Sequence, residues 1–366
     1  TYDHEGRVTK QVDGEGNVST LSYTDGATTA TDANGNVTVY RYDAQYRTTK
    51  IEYANGTFEQ FGYDDANLLA WSEDALGHRT SFTYDTAGNL VKQTRFDGAV
   101  QSYTYNADNK PLSFTNYDGI TTKYEYNAAG DLIKTIANDG SIQTIEYDAA
   151  HNPVKIIDAL GNASVLTYEN AQLASMTDAK GNTATFGYDA MGRVTAVTDA
   201  ANGVTRTEYD AAGRVTAKQD ADGNLTRYTL DAGGRMTGYT YPNGSVVSFA
   251  YDRADNKLSM TDPDGNFYRW TYDAVGNPLI ESDPLGNQQT FTYDAFGHIL
   301  SYTDPVGGIT RYTYDALGNK ISETAPDGGV TRYTYDYRNG QIATVTDAEG
   351  GTQTTEYDAC LLYTSD

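Results

Sequence analysis

Along this chain, runs of about six residues with alternating apolar and polar character are separated by clusters of Asp, Gly, Asn and Pro. In Arg311-Tyr312-Thr313-Tyr314 the two rings are two residues apart, so an extended backbone places both on one face and Arg311 and Thr313 on the other. Runs this short suit strands and are too short for helices. The turn that follows, Asp315-Ala316-Leu317-Gly318-Asn319, pairs an Asp that can accept backbone hydrogen bonds with a Gly that supplies positive φ.

Run and turn recur from end to end. With the Tyr of Tyr314-Asp315 as position 1, that position is met 18 times from Tyr2 to Tyr357, with Leu230 once replacing Tyr. Most spacings are 21 residues; the exceptions are 19 (Tyr23 to Tyr42), 20 (Tyr168 to Tyr188) and 22 (Tyr335 to Tyr357). Two residues before position 1 an aromatic stands in 12 of 17 readable units, Trp270 among them, which makes that face an aromatic ladder. Leu21, Ile145 and Leu166 fill three more, and Thr207 and Thr355 are the exceptions. A second turn follows about ten residues on, as in Asp199-Ala200-Ala201-Asn202-Gly203 and Asp283-Pro284-Leu285-Gly286-Asn287. The strand between the turns opens on an aliphatic residue such as Leu69, Leu132 or Ile299, and its faces are not assignable by alternation.

Each unit therefore reads as one β-hairpin, and the array as an all-β repeat of roughly 36 strands spanning on the order of 170 Å at ~4.8 Å per strand. Neighbouring strands twist by roughly 20–25° and open sheets rarely exceed ~10 strands without curling. The sheet must wind into a spiral. The two shortened units predict shorter loops or bulges. Tyr46, Asn67, Asn109 and His151 replace the first-turn Gly; Asn tolerates positive φ, whereas Tyr46 predicts a different turn geometry there.

Tyr accounts for 32 of the 366 residues, and hydrophobic residues for 38%, so a thin aromatic-rich wall is expected rather than a thick aliphatic core. The formal charge of −24 disfavours nucleic acid and anionic lipid as partners. One cysteine, Cys360, rules out an intrachain disulfide, so stability must come from stacked repeats. No run approaches the ~18 apolar residues of a membrane helix, and no export signal opens the sequence, which begins inside a unit and reads as a fragment. Residues 1–359 form the array; residues 360–366 leave its register and read as a cloning or assembly scar.

A Tyr-Asp-x-x-Gly-Arg/Asn turn every 21 residues, with Asp-Pro-x-Gly or Asp-x-x-Gly between, resembles the YD repeat of the RHS family over residues 1–359. That family takes in bacterial Rhs and contact-dependent toxins, toxin-complex shell components, wall-associated proteins and animal teneurins. The resemblance implies a sheet spiralling into a hollow shell, which in bacterial members encloses a C-terminal toxin domain. It also implies secretion or surface display. The family's shell-closing motif is not matched, because the Asp-Pro strings at Asp262, Asp283 and Asp304 sit in ordinary second turns. Autoproteolysis and toxicity are therefore carried over to no residue.

Candidate chemistry is sparse. His4, His78, His151 and His298 occupy four different positions of the unit and do not predict a shared site. The turn aspartates have a structural task in every unit, so neither an enzyme nor a cofactor is expected. Asp220-Ala221-Asp222-Gly223-Asn224 and Asp262-Pro263-Asp264-Gly265-Asn266 echo a calcium loop without its Glu at the twelfth position, and tight-turn chemistry explains them better. Trp270 is the best candidate for stacking on a sugar. The expected function is a non-enzymatic wall segment of an exported bacterial protein, with a cargo toxin domain as its partner. The alternative is an extracellular adhesion or carbohydrate-binding stalk, with a surface glycan or protein as partner.

Overall fold

The computed structural model describes residues 1–357 and 363–364. Thirty-four strands, from β1 (Lys10–Val12) to β34 (Thr352–Thr354), form one antiparallel sheet in which each strand pairs with the strands next to it in sequence. A separate pair, β35 (Glu356–Tyr357) and β36 (Tyr363–Thr364), follows. The described residues contain strands, turns and bends but no helix, so no helix is long and apolar enough to cross a membrane. Apart from residues 363–364, the out-of-register tail lies outside the described residues.

The unit is built as its sequence dictates. Strand β30 (Ile309–Tyr314) runs into the first turn, β31 (Lys320–Thr324) returns, and a second turn leads to the next unit. Burial alternates along β30: Tyr312 and Tyr314 are half-buried while Arg311 and Thr313 are exposed. Opposite Tyr314 the register slips, because Tyr314 pairs with Lys320 but Thr313 pairs with Ser322, leaving Ile321 as an extra residue. Such a bulge strengthens local twist. The same slip recurs in hairpin after hairpin, for example at Tyr105, Tyr209 and Tyr293.

The two shortened units have shorter loops. Between β2 (Val18–Thr24) and β3 (Ala27–Thr31) the turn is Asp25-Gly26 and the bulge is lost, since Tyr23 pairs directly with Thr28. Between β16 (Ala163–Glu169) and β17 (Gln172–Thr177) the turn is Asn170-Ala171, with φ of 50° and 63°, a left-handed pair that matches the strand twist. Tyr46 corrects an expectation. Its φ is 60° and its turn is the ordinary one, closed by Tyr46 N–H to Asp43 O at 3.0 Å. The Asp43 carboxylate holds the loop by accepting from Gln45 N, Arg47 N and Arg47 Nε, which offsets the left-handed cost, and the Tyr46 ring projects into solvent at 82% exposure.

The wall is one sheet thick. Among the described residues, Ala217, Gly238 and Val247 are buried, and the rest are half-buried or exposed. Stability is therefore spread over cross-strand pairs and turns rather than concentrated in a core.

Candidate functional site: the seam between windings

The first turn is a closed hydrogen-bonded loop. Asp315 Oδ1 accepts from Leu317 N and Asn319 N at 2.9 Å each, Oδ2 accepts from Asn319 Nδ2 at 3.0 Å, and Asp315 N donates to Asn319 O. This explains why Asn, Arg or His follows the Gly: each offers a side-chain donor to the second carboxylate oxygen, as Arg193 Nε does to Asp189 and His298 Nδ1 to Asp294. Side-chain and backbone hydrogen bonds from the residue four places on hold such carboxyls as Asp158, Asp189 and Asp283 below the usual aspartate range.

Position 1 couples units. Tyr314 Oη donates to Ile299 O, fifteen residues earlier, at 2.8 Å. Ile299 lies beyond the last ladder pair between its strand and β30 (Ser301 with Arg311), so the phenol supplies a donor the sheet does not. Thirteen such bonds of 2.7–2.9 Å run along the array, from Tyr23 to Tyr335. The ring carries a second contact. Cations four residues after the turn Asp lie over the next unit's Tyr: Arg7 over Tyr23 at 4.4 Å, Arg47 over Tyr63 and Arg193 over Tyr209 at 4.6 Å.

First turns line one rim of the wall and second turns line the other. After roughly eleven units the sheet returns, and its first-turn rim meets the second-turn rim of an earlier winding. Arg253 N donates to Glu15 Oε1 at 2.7 Å, Asn34 Nδ2 to Asp273 Oδ2 at 2.9 Å, and Arg95 Nη1 to Arg338 O at 2.6 Å; the sequence separations are 238, 239 and 243. Tyr53 meets the Phe296 ring edge-on at 5.5 Å, and His78 lies 5.2 Å from Tyr337. Gly14 fits because it has no side chain: a Cβ there would overlap the Arg253 main chain.

Within this seam lies a cleft of about 490 Å³, walled by Tyr53, Glu59, Phe296, His298, Tyr314 and Asp315 among others. Its chemistry is largely committed. Burial, reinforced by Glu59, pushes the Tyr53 phenol up to about 12, where it stays neutral. Burial pushes the Asp315 carboxyl up, but donors from Asn319 and Tyr337 outweigh it and hold the group below its ordinary range. Carboxylates already saturated by donors are poor general bases.

The residues singled out in the sequence lie apart. Trp270 is half-buried on its strand face, stacked beside Tyr268, with the Lys257 ammonium 4.1 Å from its ring centroid. His78 and His298 each sit against their own turn aspartate, Asp74 and Asp294, while His151 reaches Asp131 at 3.0 Å. In both calcium-like strings the leading Asp is spent on its turn: Asp220 on Asp222 N and Asn224, Asp262 on Asp264 N and Asn266. Among the described residues, no group of three or more His, Cys, Asp or Glu is arranged to hold a metal ion. Sequence reasoning missed the seam, the Tyr hydroxyl bonds and the cations stacked on the next Tyr. Only the last left a signal, a basic residue four places after the turn Asp.

Comparison with known proteins adds to this geometry. The family model described as the teneurin YD-shell matches residues 134–365, and the RHS-repeat model matches residues 63–100 and 105–142. Comparison with curated proteins gives no match. Among solved structures, the TcdB2-TccC3-Cdc42 crystal structure superposes with a TM-score of 0.77 at 16% identity, over 99% of this chain and 24% of that one. TcdB2-TccC3 without its hypervariable C-terminal region gives 0.76, with the same identity and coverage. The Tc holotoxin pore of Photorhabdus luminescens gives 0.58 at 17% identity, over 97% of this chain and 21% of that one. The chain thus spans about a quarter of the length of these proteins or less, and at such identity the likeness concerns the fold. A Tyr-Asp hairpin array wound into a single-layer wall, matched by this family over well over half its length, makes the chain a member of the teneurin YD-shell family.

Proposed function

We propose that this chain is a non-enzymatic wall segment of an exported bacterial YD-repeat protein, which encloses or carries a toxin domain of the same parent polypeptide. The observation that carries the reading is the seam: a one-layer sheet that returns after 238–243 residues and docks rim to rim bounds a space instead of filling one. A wall with three buried residues among those described has little interior in which to build a catalytic pocket, and turn carboxylates such as Asp315 are engaged by their own loops. Enclosure would act by excluding proteases and solvent-borne partners from the cargo. The solved relatives are toxin-complex proteins, which supports a cargo partner of that kind.

Limited proteolysis of the full-length parent polypeptide tests this. The cargo domain should survive in the wild type and become cleavable when the seam is opened by Gly14→Leu together with Arg95→Ala. Equal cleavage in both would refute enclosure.

A further inference from the structure

The cleft of about 490 Å³ in the seam has the size of a small-molecule site, for which the usual range is roughly 300–1,000 Å³. Two windings build it. Tyr53 and Glu59 come from the earlier one, and Phe296, Tyr312, Tyr314 and Asp315 from the later. Among the described residues that line it there is no Lys or Arg. Asp315 accepts from Leu317 N, Asn319 N, Asn319 Nδ2 and Tyr337 Oη, all uncharged donors, so its negative charge is not neutralised. Burial pushes that carboxyl up, but these donors outweigh it and keep the group ionised at neutral pH. Elsewhere the turn carboxylate has a cation for a partner, as Asp189 has Arg193. On the opposite wall Glu59 stands beside the Tyr53 phenol, while Arg41 and Lys50 of that winding are both bound to Glu52.

The repeat itself shows what such rings accept. In five units the position-1 Tyr ring carries a cation from the preceding unit, as Tyr23 carries Arg7, Tyr126 Lys110 and Tyr251 Arg235. At Tyr314 that place is held by His298, stacked on the ring at 4.8 Å. The Lys320 ammonium lies 5.4 Å from the Tyr312 centroid but is bound to Glu323 at 2.7 Å. The cleft thus gathers aromatic rings and two carboxylates that have no basic side chain of the chain against them among the described residues. That combination selects for positive charge on an apolar body.

We propose that the seam cleft binds a small alkylated ammonium ion, whose N-alkyl groups pack on Tyr53, Phe296 and the ladder tyrosines while its charge meets Glu59 and Asp315. An alkali cation holds its water too firmly to exchange it for aromatic rings, whereas an alkylated ammonium is weakly hydrated and suits them. The chain's charge of −24 raises the local concentration of any cation. Because both windings touch the ion, binding also favours the docked seam by mass action. This inference is independent of what the parent protein encloses.

Isothermal titration calorimetry of the purified chain with choline tests it, with choline's uncharged carbon isostere and sodium chloride as controls. Choline should saturate a single site, and neither control should. Hydrogen exchange at residues 53–59 and 294–318 should slow together when choline is present, since the ion holds both windings. Phe296→Ala and Glu59→Gln each install a residue that another unit carries at that position, Ala87 and Gln101, so the fold is retained, as circular dichroism can verify. The first should weaken choline binding roughly three- to fivefold through loss of a ring. The second should weaken it roughly fivefold or more through loss of a charge. Cosedimentation with phosphatidylcholine vesicles separates a free ion from a lipid headgroup: the chain should stay in the supernatant, and pelleting would overturn the assignment to a free ion. Absence of saturable heat, equal binding of the uncharged isostere, or wild-type affinity in either variant would each overturn the proposal.

Discussion

At the residue scale the repeat is held by side chains that each satisfy several backbone groups. The position-1 phenol is the clearest case. Tyr147 Oη donates to Leu132 O at 2.9 Å, and no cation covers that ring. Tyr147→Phe removes the donor and leaves the carbonyl unmatched, a loss of about 1–3 kcal/mol. Native-state hydrogen exchange should show this as faster exchange around residues 132–147, with distant units unchanged. The turn aspartates set the acid limit. Donors from Asn162 and its neighbours hold the Asp158 carboxyl below the unfolded value of about 3.9, and most turn aspartates share that direction. A depressed carboxyl stabilises the fold above the unfolded pKa, and the contribution is lost as pH falls through the folded values. Thermal melting temperature should therefore hold from pH 7 to about 5 and fall below pH 4. The fall should be shallower in a variant with several turn Asp→Asn changes, and an unchanged slope would show that other groups govern acid unfolding. Much of this was legible, because Asp-x-x-Gly is a turn signature wherever it stands. The partner of the Tyr hydroxyl was not, because locating that carbonyl requires the bulge register. Tyr46 was misread because a carboxylate accepting three donors outweighs a backbone preference worth about 1 kcal/mol.

At the scale of the element, each unit is tied to its neighbours by the ladder, the Tyr hydroxyl and, in places, a cation over the next ring. This predicts an asymmetry between two insertions of very different length. Duplicating a whole 21-residue unit, such as residues 189–209, preserves every face and register within the sheet and moves the seam partners by one whole unit. Adding a single residue inside β20 (Val204–Tyr209) throws Tyr209 to the opposite face, severing its bond to Val194 O and its contact with Arg193. Near-UV circular dichroism, dominated here by tyrosine, should be retained by the duplication and weakened by the single insertion. The hairpin, its strand lengths and the shortened loops were readable from period and spacing. The faces of the second strand were not, because an extra residue at the bulge breaks the alternation that would have assigned them.

At the scale of the whole molecule, winding was required by the strand count, but its pitch was not written in any local pattern. Residues 238–243 apart meet without a shared motif, and Gly14 looks in sequence like one more turn glycine. Gly14→Ala should lift the rim near Arg253: exchange at residues 252–256 should rise while the local ladder stays protected, and small-angle scattering should report a larger radius. An unchanged profile would mean the seam does not hold the winding together.

The strict order of the meander also governs how such a wall can come into being. Within the sheet every strand pairs only with its sequence neighbours, so hairpins can form one after another as the chain emerges from a ribosome or a translocation pore, without waiting for distant segments. Seam contacts are different in kind, since none can form until some 240 residues have appeared. Sheet growth and rim-to-rim docking are thus separate stages, divided by the time it takes to add about eleven units.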